Sequence, residues 1–149
     1  MQATDDHIQV ATSPQLGLGG LRVQQIRGKP GFLALIQANE LAVRDIAIEM
    51  EELMDRCRID GVAISLIASR NTKAKTLHLR WRYRNRHCTW DSLEQVREGL
   101  TAPIRLHFER IQKRVLELNS LALIAQMAIN RCEHQIGKRV TTRARPKQW

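Results

Sequence analysis

Aromatic side chains are scarce in this chain: Phe32, Trp81, Tyr83, Trp90, Phe108 and Trp149 are all it has in 149 residues. A core of ordinary density must then be built from Leu, Ile, Val, Ala and Met, as in packed helices. No apolar run reaches the length of a membrane span. The opening stretch, MQATDDHIQVATSPQ, has two acids and no basic run, so a secretion signal is not expected. Cys57, Cys88 and Cys132 are odd in number and far apart, which suits reduced thiols in a cytoplasmic protein.

Marks of catalysis are missing as well. The glycine-rich LGLGG lacks the Lys-Ser/Thr that lets such a loop cradle a phosphate. No Ser, His and acid set is suggested by spacing, and no residue stands out as nucleophile or general base. Cys132-x-His134 is the one close Cys/His pair, with no second pair at zinc-finger spacing; His87-Cys88 would need distant partners. No metal, no cofactor and no enzymatic activity are therefore expected.

Acid is missing where base is densest. Residues 70 to 90 hold seven Lys or Arg and no Asp or Glu; residues 138 to 149 hold five and none. The rest of the chain holds 12 basic and 15 acidic residues, so the formal charge of +9 comes from two segments. Solubility alone needs no such clustering, whereas a polyanionic partner does.

The apolar pattern divides the chain into elements. Residues 1 to 20 read as a flexible N-terminal arm, 21 to 137 as one domain, and 138 to 149 as a basic disordered tail. Phe32, Ile36, Asn39, Val43, Ile46, Met50, Leu53 and Cys57 step by four and three, a helical seam with one polar member. Asn39 reads either as a residue that sets register or oligomeric state, or as a surface residue. Residues 21 to 29 read equally as a short strand or a short helix, ended by Pro30 and Gly31. Asp60-Gly61 closes the first long helix.

Residues 62 to 69 and 76 to 84 are short β-branched or alternating runs, predicted to form an antiparallel hairpin. Asp91 is the expected N-cap of a short helix, with Glu94 at the reciprocal position. Thr101 and Pro103 start the last helix. Its seam runs Ile104, Phe108, Ile111, Val115, Leu118, Ala122, Ala125, Ile129, Cys132 and Ile136, and Gly137 is expected to stop it. The stretch LALIAQMAI, 121 to 129, is apolar almost all round. It requires cover on a second side, from the hairpin, a second copy of the chain, or both. The fold class is thus α+β, mainly α: two long antiparallel helices with a β-hairpin and a short helix between them.

The segment TLHLRWRYRNRH, 76 to 87, sets arginine at every second position. On a strand, Leu77, Leu79, Trp81 and Tyr83 then face the core, while His78, Arg80, Arg82 and Arg84 form an outward row. Neighbours in such a row lie roughly 6.6 to 7 Å apart, similar to the spacing of phosphates along a nucleic-acid strand. Guanidinium binds phosphate in a forked, charge-assisted geometry. Two other readings compete. The acids Glu49, Glu51, Glu52 and Asp55 could pair with the row internally, or the charges could protect a sheet edge. Trp90 reads as a tryptophan anchoring the next helix, or as a group that stacks on bases. The candidate contact residues are Arg70, Lys73, Lys75, Arg80, Arg82, Arg84 and Arg86, joined by Lys138, Arg139, Arg143, Arg145 and Lys147 of the tail. Such a surface points to single- or double-stranded DNA held through phosphates, without base readout. The alternative is a protein–protein module that dimerises through its helical seams, or docks a DNA-processing protein, without touching nucleic acid.

The second half also resembles a family of small proteins encoded on integrating conjugative elements and related genomic islands of proteobacteria. The likeness rests on LRWRYRNR (79 to 86), on Trp90 and Leu93, and on ERIQKRVLELNSLALIAQMAINRCEHQI (109 to 136). Within the last of these, Arg114, Leu118, Asn119, Ala128 and Cys132 match the family pattern. The resemblance implies a role in maintaining, processing or regulating the element's DNA, because such genes sit near those for partition, single-strand-binding and topoisomerase proteins. It implies no catalytic residue.

Overall fold

Both seams become helices, and they pack on each other. In the computed structural model, which describes residues 17–73 and 75–143 (side chains as far as 137), α1 spans Gly28–Cys57 and α3 spans Ala102–Arg143. Met50, Leu53 and Cys57 of α1 share a core with Phe108, Ile111 and Val115 of α3. At the opposite end Leu35 and Ile36 meet Ile129 and Cys132. The helices therefore run antiparallel. At a rise of about 1.5 Å per residue α3 extends roughly 63 Å, well beyond the roughly 45 Å of α1.

Between them lie strands β1 (Ile64–Arg70), β2 (Leu77–Tyr83) and β3 (Arg86–Cys88), then a 3-10 turn at Asp91–Leu93 and the short helix α2 (Glu94–Glu98). The sheet is antiparallel in the order β1-β2-β3. Ile64 pairs with Tyr83, Leu66 with Trp81 and Ala68 with Leu79; on the other side Trp81 pairs with Cys88. Ile64, Leu66, Leu79 and Trp81 are buried against the helix pair, β1 over α1 and β2 over α3. The fold is α+β and mainly helical, in two layers, with one sheet face on the helices and the other turned away. No helix among the described residues is long and apolar enough to cross a membrane.

Several sequence expectations need correction. Pro30 and Gly31 do not interrupt: the segment before α1 is a 3-10 turn, Val23–Gln25, and the helix already begins at Gly28. Pro30 falls in the first turn, where its missing N–H leaves no intrahelical bond unmade. Gly31 is required there because a Cβ would stand 2.9 Å from the Ile26 backbone. The hairpin gains a third strand, through a two-residue turn at Arg84 and Asn85.

Asp91 does not cap the short helix. It falls in the 3-10 turn ahead of that helix, whose N-cap position, Leu93, makes no side-chain bond. Thr89 and Ser92 brace the turn reciprocally: the Thr89 N–H donates to Ser92 Oγ at 3.1 Å and the Ser92 N–H to Thr89 Oγ1 at 3.2 Å. Gly137 does not stop α3, which continues to Arg143. The non-periodic tail expected from 138 is thus helical backbone as far as 143, and a single glycine inside a long helix costs only about 1 kcal/mol. Residues 144–149 and 1–16 lie outside the described residues. Residues 17–20, assigned to the arm, form a turn fastened to α1.

Asn39 does that fastening and matches neither reading made of it. It is fully buried, and its Oδ1 accepts from the Gly17 N–H at 3.1 Å. Its Nδ2 donates to the carbonyls of Gly17 and Leu35, each at 2.8 Å.

Candidate nucleic-acid interface

Strand pairing decides which arginines share a face. Ser65 is opposite Arg82, which is opposite His87; Ile67 is opposite Arg80, and Ser69 opposite His78. These residues form the face turned away from the helices, and Ser69 Oγ and His78 Nε2 lie 3.4 Å apart on it. Residues 61 to 90, which contain the whole sheet, include no Asp or Glu.

Arg80 is exposed and stands at the centre of this face. Among the described residues it has no hydrogen bond or ion pair. Arg82 is half-buried: its Nη2 donates to the Asn85 carbonyl at 2.6 Å, while its buried Nε has no partner. Arg82 thus braces the turn as well as charging the face.

Arg84 leaves the row. It has φ 48° and Asn85 has φ 63°, the paired positive values of a type I′ turn, which suits the twist of a two-residue hairpin. The Arg84 guanidinium lies 5.2 Å from the centre of the Tyr83 ring. Arg86 is exposed on β3 opposite Tyr83, in register with the helix-side positions and not with Arg80. The outward row is therefore His78, Arg80 and Arg82, with His87 beside it, and Arg84 and Arg86 sit at the hairpin end.

Arg70, Lys73 and Lys75 lie exposed at the other end of the sheet: Arg70 ends β1 opposite Leu77, in register with the helix-side positions, and Lys73 and Lys75 stand on the β1–β2 connection. That connection is closed by the Asn71 N–H on the Thr76 carbonyl at 2.8 Å, and Asn71 Oδ1 accepts from the Lys73 N–H at 3.0 Å. Arg70 and Lys75 line a cavity of about 90 Å3 against Val43, Ala47 and Ala122, too small for a cofactor. Lys138, Arg139 and Arg143 fall on the last turns of α3, far along the helix from the sheet; Arg145 and Lys147 lie outside the described residues.

The acids proposed as internal partners are engaged elsewhere or are exposed. Glu49 pairs with Arg114 across the two helices, and Glu117 joins Arg114 at 2.9 Å. Hydrogen bonds that it donates to Glu117 and Glu49 hold the Arg114 guanidinium above its ordinary pKa. These are the only ion pairs among the described residues, so Glu51, Glu52 and Asp55 do not neutralise the arginine row.

Trp90 anchors the helix, as one of its two readings held. Its ring lies 5.1 Å from Trp81, and the Arg97 guanidinium sits 3.9 Å from its centre on the Trp90 ring. Trp81 Nε1 donates to Gln112 Oε1 at 2.7 Å, tying the inner sheet face to α3.

One contact had no sequence signal. β3 is too short to cover the whole edge of β2, which leaves the Leu79 N–H and C=O without a strand partner. Asn119 of α3 supplies both: Oδ1 accepts the Leu79 N–H at 2.7 Å, and Nδ2 donates to the Leu79 carbonyl at 3.1 Å. A side-chain amide thus stands where β3, two residues longer, would pair with Leu79, and this part of the β2 edge is closed by asparagine and not by charge. No family model, curated protein or solved structure matches the chain.

Proposed function

We propose that the open sheet face binds DNA through its phosphates and that the protein is an accessory or regulatory DNA-binding protein without enzymatic activity. The observation that carries this reading is Arg80: an exposed guanidinium at the middle of an acid-free sheet, with no carboxylate partner among the described residues. A charged group left in that state gains most from a polyanion. Arg82 adds charge beside it, and Arg70, Lys73 and Lys75 extend the positive surface past one end of the sheet, Arg84 and Arg86 past the other. The likeness of residues 79 to 136 to proteins of integrating conjugative elements supports service to such an element's DNA. Phosphate contacts position a protein without reading bases, so binding is expected to tolerate changes of sequence.

The test is Arg80→Ala, whose side chain supports nothing else in the fold. If four to six phosphates are engaged, log K falls against log salt with a slope of roughly −4 to −5 on duplex DNA. Arg80→Ala is expected to make that slope shallower by about 1 and to weaken binding to all sequences alike. An unchanged slope with an unchanged affinity sinks the proposal.

A further inference from the structure

Helix α3 bears a second apolar stripe that α1 does not cover. Its seam toward α1 runs through Phe108, Ile111, Val115, Leu118, Ala122, Ala125 and Ile129, all buried. Two residues beyond a seam position is a little over half a turn. Ser120, Ile124 and Met127 therefore stand on the helix's back, with Leu116 and Leu123 beside them. Leu116, Ser120, Leu123 and Met127 step by four, three and four, the spacing of a coiled-coil seam. Leu116 is 58 % exposed, Leu123 45 %, Ile124 49 % and Met127 60 %. The hairpin does not reach them, since the sheet layer meets α3 along Gln112, Asn119, Ala122 and Gln126. Of the covers that 121 to 129 required, the hairpin is thus ruled out for these side chains.

We propose that this stripe is a homodimer interface in which α3 packs antiparallel against α3 of a second copy, about a two-fold axis near Ile124. The flanking charges select both occupant and direction. Glu117 and Arg131 are two heptads apart, so they lie along the same edge of the stripe, on either side of Ile124. A parallel pair, whose two-fold axis runs along the helices, lays the edge that holds Lys113, Glu117 and Arg131 against the partner's sheet-side edge, where Gln112, Asn119 and Gln126 carry no charge. An antiparallel pair centred on Ile124 sets Glu117 of each copy opposite Arg131 of the other, twice by symmetry. Leu123, Ile124 and Met127 then fill the middle, apolar against apolar.

The antiparallel arrangement has a geometric consequence. The sheet covers one side of the helix layer. A two-fold axis that reverses α3 while keeping stripe against stripe runs perpendicular to that layer. Both sheets then lie on one side of the dimer, and the two Arg80 faces form a single surface; a parallel dimer would turn them to opposite sides. The dimer itself does not depend on the DNA-binding reading, and it is tested without nucleic acid.

Sedimentation of the full chain across its accessible concentration range is expected to show the mass of two chains. Met127→Glu, an exposed position, is expected to reduce that to one chain with an unchanged circular dichroism spectrum. Glu117→Arg and Arg131→Glu should each weaken the dimer, and the two together should restore it. A parent that sediments as one chain throughout overturns the proposal, as does a dimer that survives Met127→Glu. A double charge reversal that fails to restore association overturns the antiparallel arrangement.

Discussion

Two asparagines on the long helices show how one side chain can finish what the backbone leaves undone. Asn39 and Asn119 each accept one backbone N–H and donate to the carbonyl of the same residue, Gly17 for the first and Leu79 for the second. In Asn119→Ala both Leu79 groups lose their partner at a partly buried edge. The expected loss is about 1 to 3 kcal/mol of unfolding free energy, measured by denaturant titration. Asn119→Asp should be nearly as costly, because it replaces the donor with a second acceptor. Arg84 is a contrasting residue. A long side chain at φ 48° is strained, and its cation–π contact with Tyr83 offsets that only in part. Arg84→Asn should raise stability by up to about 1 kcal/mol, since Asn tolerates that backbone conformation better, and the gain is checked as a higher melting temperature.

At the scale of elements, the alternation of residues 77 to 83 was legible and the faces came out as the spacing required. Leu79 and Trp81 are buried, and Arg80 is exposed. Where the pattern was read one residue too far, at Arg84, turn geometry took over. A two-residue connection needs positive φ at both central positions, and Arg84-Asn85 lacks the glycine that usually signals it. β3 has no sequence signature because three residues, Arg86–Cys88, are too few to display a period. Binding should report this arrangement. Arg80→Ala should cost more DNA affinity than Arg84→Ala, because only the first stands in the outward row; a fluorescence titration at fixed salt compares them.

Across the whole molecule, the three thiols report how burial is distributed. Cys57 is fully buried between α1 and the sheet-side core, and desolvation pushes its pKa from 9.0 up to about 12. Burial also raises Cys132, and raises Cys88 against a lowering bond from Ser92. A thiol whose folded pKa lies above its unfolded value adds stability that is present in full below about pH 9. That contribution is lost as pH climbs from there toward about 12, to at most about 4 kcal/mol. Cys57→Ala should therefore show a shallower alkaline fall in unfolding free energy than the parent, measured from pH 8 upward. In the native protein Cys57 should react with a thiol reagent only at the rate of unfolding.

Spacing along the chain determined the two helical seams, their antiparallel pairing, the inward and outward faces of the central strand, and the concentration of positive charge. Each of these is a property of side-chain type and period, and period is local. Tertiary structure alone decided that Asn119 closes the edge of β2 and that Asn39 ties down residue 17. It also decided that Glu49 pairs with Arg114, leaving Arg80 without a carboxylate, and that Leu123, Ile124 and Met127 stand uncovered. Those outcomes depend on which residues far apart in the chain meet when helices pack. A pairing between residue 49 and residue 114, or 79 and 119, is set by the register of one element on another, which no pattern within a single element encodes.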